Sequence, residues 1–561
     1  MTPYYVTTPI YYVNDRPHIG HCYTTLIADV AARMHRLIGR NVFFLTGTDE
    51  HAEKVVVKAA ENGVSPLEWA DRNAAEFRKA FAFMNFSNDD FVRTTEERHK
   101  SKASAYIQKL VDSGDIELGD YEGWWDGSQE EYLTETVAKE HDYKSPVTGR
   151  PLEKRKEQNY FFRLDKYAGW LEEQIAGGTI RVLPEARKNE VLGRIRQGLQ
   201  KVPVSRRIKA GDADWGVRMP NDPEHRVYVW IEALCNYLTV VDTPERRTWW
   251  PKAGSTGPEC EAGVGCAPVV HLMAKDIVWF HAVIWPAMLK ALGERAPRTV
   301  YAHAYFIAEG RKMSKSLGNF IEIDQLRAYA GKYSLDALRW FLVTQGPLGA
   351  NDADFAYQRF VEVYNADLAN GIGNATSRVS NMIAKYFEGK VPGRDGTVLT
   401  GNEHWIDRAE QDVGAFLWMA ERCEWNAVTI GCNIVAQIDE YISGTRPFEL
   451  AKHAAKLAAE GHAAQAEARW AEIGTILYQC AEQLRIASLL LYPAMPEKMA
   501  ELWRRWNCRH LVDPGDCNSA FVAPLAELAK WGGKHGLKPG QEVVKGDALF
   551  MRADAGEAAP G

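Results

Sequence analysis

Apolar runs alternate with helix-length amphipathic segments over the first part of the chain. An apolar strand is predicted at residues 3–13, a helix near 18–38 and a second strand at Val42–Leu45. Strand–helix–strand units of this length predict a parallel sheet with right-handed crossovers. The ligands of such sheets bind at the carboxyl ends of the strands. Here the polar residues Thr46–His51, among them Asp49, Glu50 and His51, follow the second strand. The sequence therefore predicts a cleft between this polar segment and the turn after the first strand.

The same alternation resumes in the middle of the chain. Strands are predicted at Arg226–Ile231, Val269–Met273 and Thr299–Ile307, with helices between them. The intervening residues 116–224 are aromatic and rich in turn-forming residues, which predicts a small β-containing insertion. Residues 251–268, rich in glycine, proline and cysteine, predict a further loop insertion.

From about residue 350 onward the chain is predicted to be helical. An apolar stripe with a spacing of four residues indicates a buried helix face, and it consists of Phe360, Tyr364, Leu368 and Ile372. A polar series, Asn370, Asn374 and Arg378, has the same spacing but is offset by two residues, so it lies on the far side of the helix. Such donors and acceptors suit the edges of unstacked bases. For these residues alone, a polar solvent-exposed face is the simpler explanation.

Composition and charge exclude several classes of protein. The length of 561 residues suggests roughly three to four domains. The net charge of −7 argues against a purely electrostatic nucleic-acid binder, but not against docking on local basic surfaces. The nine cysteines are odd in number and never spaced C-x-x-C, which argues against a disulfide framework and fits a reducing compartment. With no targeting segment and no run long enough to span a membrane, a soluble cytoplasmic protein is expected.

The stretch Thr7–His21, TTPIYYVNDRPHIGH, leads from the first strand into the first helix. Pro17 suits the first helical position because its φ is already correct and its missing N–H costs nothing there. His18, Gly20 and His21 then fall in the first helical turn, where free N–H groups and the helix dipole favour a phosphate. Gly20 leaves room for a flat ring against the backbone. A strand–turn–helix with two surface histidines explains these residues equally well.

A second basic segment follows the last predicted strand. The stretch Glu309–Asn319 carries Lys312 and Lys315 three residues apart on a loop that also contains glycine and serine. Such a loop can move and bring positive charge onto a polyphosphate. A solvated basic turn is the default explanation of the loop by itself.

Together, the two segments resemble a known signature. His18-Ile-Gly-His21 and Lys312-Met-Ser-Lys-Ser316 match the motif pair of the class I aminoacyl-tRNA synthetases in order, separation and α/β context. Further stretches narrow the resemblance to the methionyl-tRNA synthetase family: FLTGTDEH, YVWIEALCNYLT, AKDIVWFHAVIWPA and RKMSKSLGN. The resemblance extends from about residue 3 to about residue 500.

The resemblance implies roles for individual residues. Asp49 would bind the ammonium of methionine, and the methionine pocket would be formed by Ile10, Tyr12, Trp230, Ala233, Leu234, Tyr237, Ile277, His281 and Trp285. Gly20 would pack against the adenine of ATP and Asp276 would bind its ribose, while the phosphates would be contacted by His18, His21, Lys312, Ser314 and Lys315. His18, His21, Lys312 and Lys315 would carry the catalysis.

The implied reaction has two steps, in which Mg²⁺ accompanies ATP. The methionine carboxylate attacks the α-phosphorus of ATP, and the terminal ribose hydroxyl of tRNA(Met) then attacks the activated carbonyl.

Asn370, Asn374 and Arg378 match the anticodon-reading helix of the family. Phe448 stands where the family usually has tryptophan, and it can stack on the first anticodon base without supplying an indole donor.

The sequence departs from the family pattern in the insertion. Many members hold zinc there with cysteines, but this chain has Asp126, Gln129 and Ser145 at the corresponding places. Without thiolates at this spacing, no structural zinc is expected. Packing of Trp124, Trp125 and Tyr132 is expected to hold the insertion together. Because the chain ends before the additional dimerisation module of some relatives, we expect a monomer.

The expected fold class is α/β, with a Rossmann-like parallel sheet split by a β-containing connective insertion and followed by an all-α anticodon-binding bundle. The expected division is 1–115 and 225–308 for the catalytic halves, 116–224 for the insertion, 309–356 for the lysine loop and stem-contact region, 357–520 for the helical domain and 521–561 for the tail. The tail is expected to hold a helix to about Lys530, a short ladder at Val543, Leu549 and Met551, and a disordered end.

The sequence leaves two alternative interpretations, another class I synthetase and a non-catalytic protein. Isoleucyl, valyl and leucyl synthetases resemble the fold but need a larger editing insertion, and a cysteinyl synthetase would need zinc thiolates. A non-catalytic tRNA-binding paralogue is a different class of protein. The intact His18, His21, Lys312 and Lys315 argue against it, because a binding module does not require them.

Overall fold

The computed structural model describes residues 2–126, 131–133, 135–209, 211–254, 268–313, 319–393, 404–508, 521–554 and 556–560. Ser314, Lys315 and Gln129, most of the 251–268 insertion and the side chain of Tyr132 lie outside the described part of the chain.

The strands within the described ranges are β1 Pro3–Tyr12, β2 Asn41–Asp49, β3 Asp90–Arg93, β4 Ile116–Asp126, β5 Glu131–Leu133, β6 Glu153–Phe162, β7 Arg181–Leu183, β8 Val202–Pro203, β9 Ser205–Arg207, β10 Arg218–Met219, β11 Asp222–Val227, β12 Val269–Ala274, β13 Thr299–His303, β14 Phe306–Ala308, β15 Arg311–Lys312 and β16 Ala353–Phe355.

The α-helices of the same ranges are α1 Ile19–Ile38, α2 Glu53–Glu61, α3 Pro66–Phe83, α4 Glu97–Asp112, α5 Glu135–Glu140, α6 Ala168–Ala176, α7 Glu185–Arg196, α8 Val229–Leu234, α9 Asn236–Thr239, α10 Trp285–Leu292, α11 Ile323–Tyr333, α12 Leu335–Gln345, α13 Tyr357–Val363, α14 Asn374–Tyr386, α15 His404–Glu421, α16 Ile430–Thr445, α17 Pro447–Ala459, α18 Ala463–Leu491, α19 Pro496–Arg505 and α20 Leu525–Leu528. Turns of 3₁₀ helix lie at Leu164–Tyr167, Lys275–Ile277 and Trp425–Thr429, and π-helical segments at Phe280–Ile284 and Tyr364–Gly373. In the described ranges, no helix combines the length and the hydropathy that crossing a bilayer requires.

The predicted parallel sheet is present, with the strand order β3-β2-β1-β12-β13-β7. All of its neighbouring strands pair in parallel. The order of the strands along the chain reverses beside β1, so a crevice opens at the carboxyl edge between β1 and β12. The two α/β segments predicted from the sequence thus form one sheet, and β1 is their shared boundary.

Strand β7 corrects the expected extent of the insertion. It lies within 116–224 but pairs in parallel with β13, where Val300 aligns with Val182. The insertion sheet, in the order β5-β4-β6-β8, is antiparallel and separate. A three-residue strand carries too weak an alternation signal to be recognised from sequence.

Two other strand predictions are wrong at their ends. Arg226–Ile231 is not one buried strand: β11 ends at Val227 in a small antiparallel sheet, and Val229 begins helix α8. Thr299–Ile307 is divided into β13 and β14, which belong to different sheets. Short apolar runs do not distinguish a buried strand from a buried helix, which is the reason for the first error.

Helix α1 begins two residues after Pro17, which corrects the expected position of that proline. His18 precedes the helix with extended backbone angles, and its side chain accepts the N–H of Gly20. His21 completes the cap because its Nδ1 accepts the N–H of His18. The histidines thus satisfy backbone donors that would otherwise lack partners at the helix start.

The helical part of the chain has the predicted apolar stripe, and its residues are buried: Phe360, Tyr364, Leu368 and Ile372. The tail differs from the prediction, because no strand forms in its described residues. Its end is docked instead. The hydroxyl of Tyr364 donates to the carbonyl of Met551, and Lys332 pairs with Glu557 at 2.7 Å. The end of the tail is ordered by contacts with residues far away in the sequence, which its composition cannot predict.

A buried charge cluster joins the parallel sheet to the helical part. The carboxylate of Asp29, on α1, accepts from Arg33 at 2.8 Å and from Arg339, on α12, at 2.6 Å. It also accepts from the backbone N–H and the hydroxyl of Ser87. Arg339 in turn donates to the carbonyl of Ala494, between α18 and α19. Burial alone would raise the pKa of Asp29, but the two arginines outweigh it and lower this pKa to about 2.

We predict that Asp29→Asn lowers the free energy of unfolding by about 3–5 kcal/mol, because it leaves two arginine charges buried without their counter-ion. An unfolded aspartate has a pKa near 3.9. The difference from wild type is therefore complete above about pH 5 and shrinks as the pH falls through about 2. Urea unfolding at several pH values measures it. Glu68→Gln, which breaks the exposed pair with Arg72, is the matched control and is expected to have a much smaller effect. Equal effects of the two variants would contradict the prediction.

Candidate active site

A cavity of about 840 Å³ lies at the carboxyl edge of the central sheet. Its walls come from β1, the start of α1, the end of β2, helices α8 and α9, and the segments that follow β12 and β13. The residues singled out from the sequence that line it are Ile10, Tyr12, His18, Gly20, His21, Asp49, Trp230, Ala233, Leu234, Tyr237, Asp276, Ile277 and His281. The fold therefore assembles residues from distant parts of the chain around one space.

The cavity opens because β1 separates from β12 part of the way along its length. The two strands pair up to Thr7 and His271, whereas β1 stays beside β2 until Tyr12 aligns with Asp49. The pairing with β2 is irregular between Thr7 and Ile10, where Pro9 lacks a backbone donor. As a result, Ile10 and Tyr12 line the cavity.

His18 and His21 form the polar end of the cavity. Their ring centroids are 3.8 Å apart. Each Nδ1 accepts a backbone N–H, from Gly20 at 3.1 Å and from His18 at 3.2 Å. In a neutral imidazole with an accepting Nδ1, the hydrogen is on Nε2. Burial, and then the neighbouring His18, lower the pKa of His21 well below its usual value. The pair thus supplies neutral N–H donors at a helix N-terminus, an arrangement suited to an anion.

Gly20 leaves the backbone beside the histidine pair uncovered. A Cβ at this position would lie 3.0 Å from Cε1 and 3.2 Å from Nδ1 of His18. Even an alanine would therefore push the imidazole aside by a few tenths of an ångström. The absence of a side chain leaves the helix backbone accessible to a flat group.

The other end of the cavity is aromatic and largely apolar. The His281 Nδ1 lies 2.9 Å from the carbonyl of Ile277 and must donate to it. His281 Nε2 then accepts from the Tyr237 hydroxyl at 2.7 Å. Burial lowers the pKa of His281 to about 4, so the ring is neutral at physiological pH. Trp230 stacks on Phe280 with ring centroids 4.1 Å apart. An apolar group with a polarizable atom would fit between these rings.

Trp285 supports this wall without lining the cavity. It is fully buried, and its indole N–H donates to Nε2 of His271 at 3.3 Å. His271 in turn lies 2.8 Å from the hydroxyl of Thr7 and packs against Tyr237 with centroids 4.3 Å apart. Trp285 therefore acts on the cavity through His271 and Tyr237.

Two carboxylates contribute charge to the cavity. Asp49, the last residue of β2, is almost fully buried. Asp276 lies in the 3₁₀ turn after β12, and burial raises the pKa of its carboxyl group. The hydrogen bond with Tyr305 opposes this shift. Each carboxylate can therefore pair with a cation or accept from a hydroxyl of a bound molecule.

The segment after the lysine loop contacts the histidine pair. Phe320 packs edge-on against His18 with centroids 4.8 Å apart, and the carbonyl of Ile321 accepts from Ile19 N–H at 3.2 Å. Lys312, on β15, is exposed, and its carbonyl accepts from Asn319. The residues that follow the lysine loop are thus adjacent to the histidine pair, whereas Lys312 does not line the cavity and Ser314 and Lys315 lie outside the described residues.

The polar series in the helical part is less regular than predicted. Asn370 lies in the π-helical segment, and Gly371 has non-helical backbone angles (φ −84°, ψ −113°). Only Asn374 and Arg378 therefore share a continuous α-helical face, and Arg378 is paired with Asp439 on α16 at 2.7 Å. Phe448, in the first turn of α17, is 41% exposed.

Sequence reasoning missed a network behind the cavity that contains His51, His99, Trp215 and Glu232. Glu232 accepts from His51 at 2.8 Å. The position of His51 just after β2 marked it as a polar residue at a strand end. Its partner on α8 has no sequence signal, because the two positions are 181 residues apart.

The connective insertion has no arrangement that fits zinc in its described residues. Groups of three or more histidine, cysteine, aspartate or glutamate side chains that could hold a metal are absent from the described parts of the chain. The Ser145 hydroxyl accepts from the N–H groups of Val147 and Thr148 at 3.3 and 3.1 Å, and so fixes the turn itself. Trp125 is buried under the guanidinium of Arg206, which lies 3.7 Å from the ring centroid.

Comparisons with known proteins agree with this fold. A family model described as tRNA synthetases class I (M) matches residues 4–141 and 139–380. The methionine–tRNA ligase of Bacillus subtilis is 39% identical over 517 residues, which cover 89% of this chain and 72% of that protein. The methionine–tRNA ligase of Streptomyces coelicolor is 36% identical, with coverage of 99% and 98%.

A solved structure of Mycobacterium tuberculosis methionyl-tRNA synthetase in complex with methionyl-adenylate is also similar. Its TM-score is 0.83 at 31% identity, and the match covers 98% of this chain and 100% of that one. The resemblance inferred from the motifs and the α/β fold class are thereby confirmed. The family model spans most of the chain, and relatives more than 30% identical match it almost end to end, so the chain belongs to the class I tRNA synthetases, in the methionine–tRNA ligase family.

Proposed function

We propose that the cavity activates L-methionine with ATP, forming methionyl-adenylate and pyrophosphate, and then transfers the methionyl group to the 3′ end of tRNA(Met). The observation that carries the proposal is that one cavity has two chemically different ends. The imidazole donors of His18 and His21 form one end, and the Tyr237–His281 pair and the Trp230–Phe280 stack form the other. Nucleotide and amino acid can therefore bind side by side.

The amino-acid end would hold methionine by shape and by charge. Its thioether would lie among the rings of Tyr12, Trp230 and Tyr237, which suit a polarizable sulfur. Asp49 would pair with the ammonium group. Ile10, Ala233, Leu234 and Ile277 would complete the apolar wall, and Trp285 would support it from behind. Because the Tyr237 hydroxyl donates to His281, its orientation is fixed before the substrate arrives.

The nucleotide end would hold ATP and stabilise its leaving group. Gly20 would lie against the adenine, Asp276 would accept from the ribose, and the Nε2–H groups of His18 and His21 would donate to the phosphates. Lys312, Ser314 and Lys315 would stabilise the charge that develops on pyrophosphate. ATP would bring Mg²⁺, which neutralises part of the phosphate charge.

The chemistry requires no protein nucleophile. A methionine carboxylate oxygen bonds to the α-phosphorus while the bond to pyrophosphate breaks. The terminal ribose hydroxyl of tRNA(Met) then attacks the carbonyl carbon and loses its proton as the ester bond forms, and AMP leaves with the electron pair of the broken anhydride bond. The contribution of the site is to position the reactants and to stabilise charge.

The helical part is proposed to read the anticodon CAU. Asn370, Asn374 and Arg378 would contact base edges, and Phe448, which is partly exposed, would stack on the first base.

The domain division given above is part of the proposal, with β7 assigned to the catalytic sheet. We also propose a monomer in the cytoplasm that acts independently of any membrane. Six free cysteines in the described residues support a reducing compartment.

The purified protein is expected to catalyse ATP–pyrophosphate exchange that depends on methionine. Lys315→Ala should reduce this exchange by about 10²-fold or more, because the charge on the leaving pyrophosphate loses a partner. The dissociation constant for tRNA(Met) should change much less. Exchange with a different amino acid would reassign the substrate, and an absence of exchange would indicate a non-catalytic paralogue. An equal loss of exchange and tRNA affinity would contradict the role of Lys315.

Gly20→Ala is expected to raise the KM for ATP by about tenfold, since the new methyl group shifts the His18 ring by a few tenths of an ångström and covers the backbone on which the adenine would lie. The KM for methionine, measured in the same exchange assay, should stay within about twofold of wild type because methionine binds at the other end of the cavity. A parallel rise of both constants would show a general distortion of the site instead.

Metal analysis of the purified protein is expected to find zinc well below one equivalent, because Ser145 occupies a position where a thiolate would be needed. Chelator treatment should leave the thermal unfolding transition unchanged. Stoichiometric zinc, or destabilisation by the chelator, would overturn this prediction.

A further inference from the structure

A buried network lies directly behind the amino-acid end of the cavity. Its centre is Glu232 on α8, which is completely buried. The carboxylate lies 2.8 and 3.0 Å from Nδ1 of His51, and one of its oxygens is 3.2 Å from Nε2 of His99. His99 is on α4, and its Nδ1 lies 3.1 Å from the hydroxyl of Thr239. Glu232 thus joins three separate elements through two histidines.

The carboxylate is ionised in the folded protein. Burial by itself would raise the pKa of Glu232, but the two histidines outweigh it and lower this pKa to about 2. A buried carboxylate that loses a partner is costly, because no water replaces the contact. Helix α8 and the segment that carries His51 are therefore held at a fixed separation.

The two elements joined by this pair both lead to residues that line the cavity. On one side, α8 carries Trp230, Ala233 and Leu234, which line the cavity. On the other side, His51 follows Asp49 by two residues at the end of β2. A shift of His51 relative to α8 would therefore move Asp49 relative to the apolar wall.

The residue between Asp49 and His51 is fixed as well. The carbonyl of Glu50 accepts from the indole N–H of Trp215 at 2.7 Å. The side chain of Glu50 is buried and paired with Arg93 through two bonds of 2.7 and 3.0 Å. Trp215 and Arg93 thus hold the residue that follows Asp49. Among the described contacts to Glu50 and His51, the one from Glu232 comes from α8, which lines the cavity.

We propose that Glu232, acting through His51, is a positioning residue that sets the distance between the Asp49 carboxylate and the apolar wall of the cavity. This inference rests on the proposed function, in which Asp49 receives the ammonium of methionine. Glu232 itself does not line the cavity. Its effect is therefore expected on the binding of methionine and not on that of ATP.

The network provides its own matched control. His51 and His99 both contact Glu232, but only His51 is continuous with the strand that carries Asp49. A purely structural role would make the two histidines equivalent. A positioning role separates them, because His99 joins Glu232 to α4 and α9 and not to the segment that follows β2.

The test compares His51→Gln, His99→Gln and Glu232→Gln in methionine-dependent exchange, with rates normalised to active sites. We expect His51→Gln and Glu232→Gln each to raise the KM for methionine about tenfold, with the KM for ATP within about twofold of wild type. His99→Gln should raise the KM for methionine less than about twofold, whatever its effect on thermal stability. The double variant of His51 and Glu232 should be no worse than Glu232→Gln alone, since the link between Glu232 and His51 is already broken in that variant.

Equal rises for His51→Gln and His99→Gln, or a rise in the KM for ATP alongside that for methionine, would overturn the proposal. If Glu232→Gln does not fold, His51→Gln and His51→Asn carry the same comparison with His99→Gln. Asp49→Asn distinguishes a failure of the proposed role of Asp49 from a failure of the positioning role of Glu232. If it leaves the KM for methionine unchanged, the proposed role of Asp49 fails. If it raises this KM and His51→Gln does not, only the positioning role of Glu232 fails.

Discussion

The Asp29 carboxylate joins the helix next to the central sheet to the helical part of this molecule. It lies inside α1, the helix that begins at the His18–His21 pair, and it is paired with Arg339 of α12. Arg339 also donates to the carbonyls of Met84, Pro493 and Ala494. One planar guanidinium thus contacts the end of α3 and the junction of α18 and α19. Because every group is buried, the loss of any partner leaves a charge or a carbonyl unsatisfied, and the arrangement is strongly specified.

The cavity depends on a second constraint, the parallel pairing of the central sheet. Parallel strands bring their carboxyl ends to one edge, so β1, β2, β12 and β13 all deliver side chains to the same place. Pro9 interrupts the pairing of β1 at the point where the cavity opens. The amino-acid and nucleotide ends then follow from a few consecutive residues: Ile10 and Tyr12 face one end, and His18 and His21 the other. A short segment therefore orients both reactants.

Several features of the fold and site follow from local pattern. The strand–helix–strand periodicity predicted the parallel sheet, and the four-residue stripe from Phe360 to Ile372 predicted a buried helix face. Where short apolar runs were ambiguous, prediction failed: Val229 begins a helix, and β7 joins the central sheet from within the expected insertion. The tail, expected to be disordered at its end, is held by Tyr364 and Lys332. Such contacts form between residues far apart in sequence, so composition does not report them.

The sequence by itself determined the family and pointed to thirteen of the residues that line the cavity, because these depend on residue type and spacing. Only the tertiary structure decided which of them touch. It showed that His18 and His21 cap their own helix, that Trp285 stands behind the wall, and that Gly371 interrupts the polar series. It also revealed Glu232 and His51 as partners across 181 residues. Local pattern encodes what each residue can do, whereas a buried ion pair exists only once the chain has brought two distant positions together.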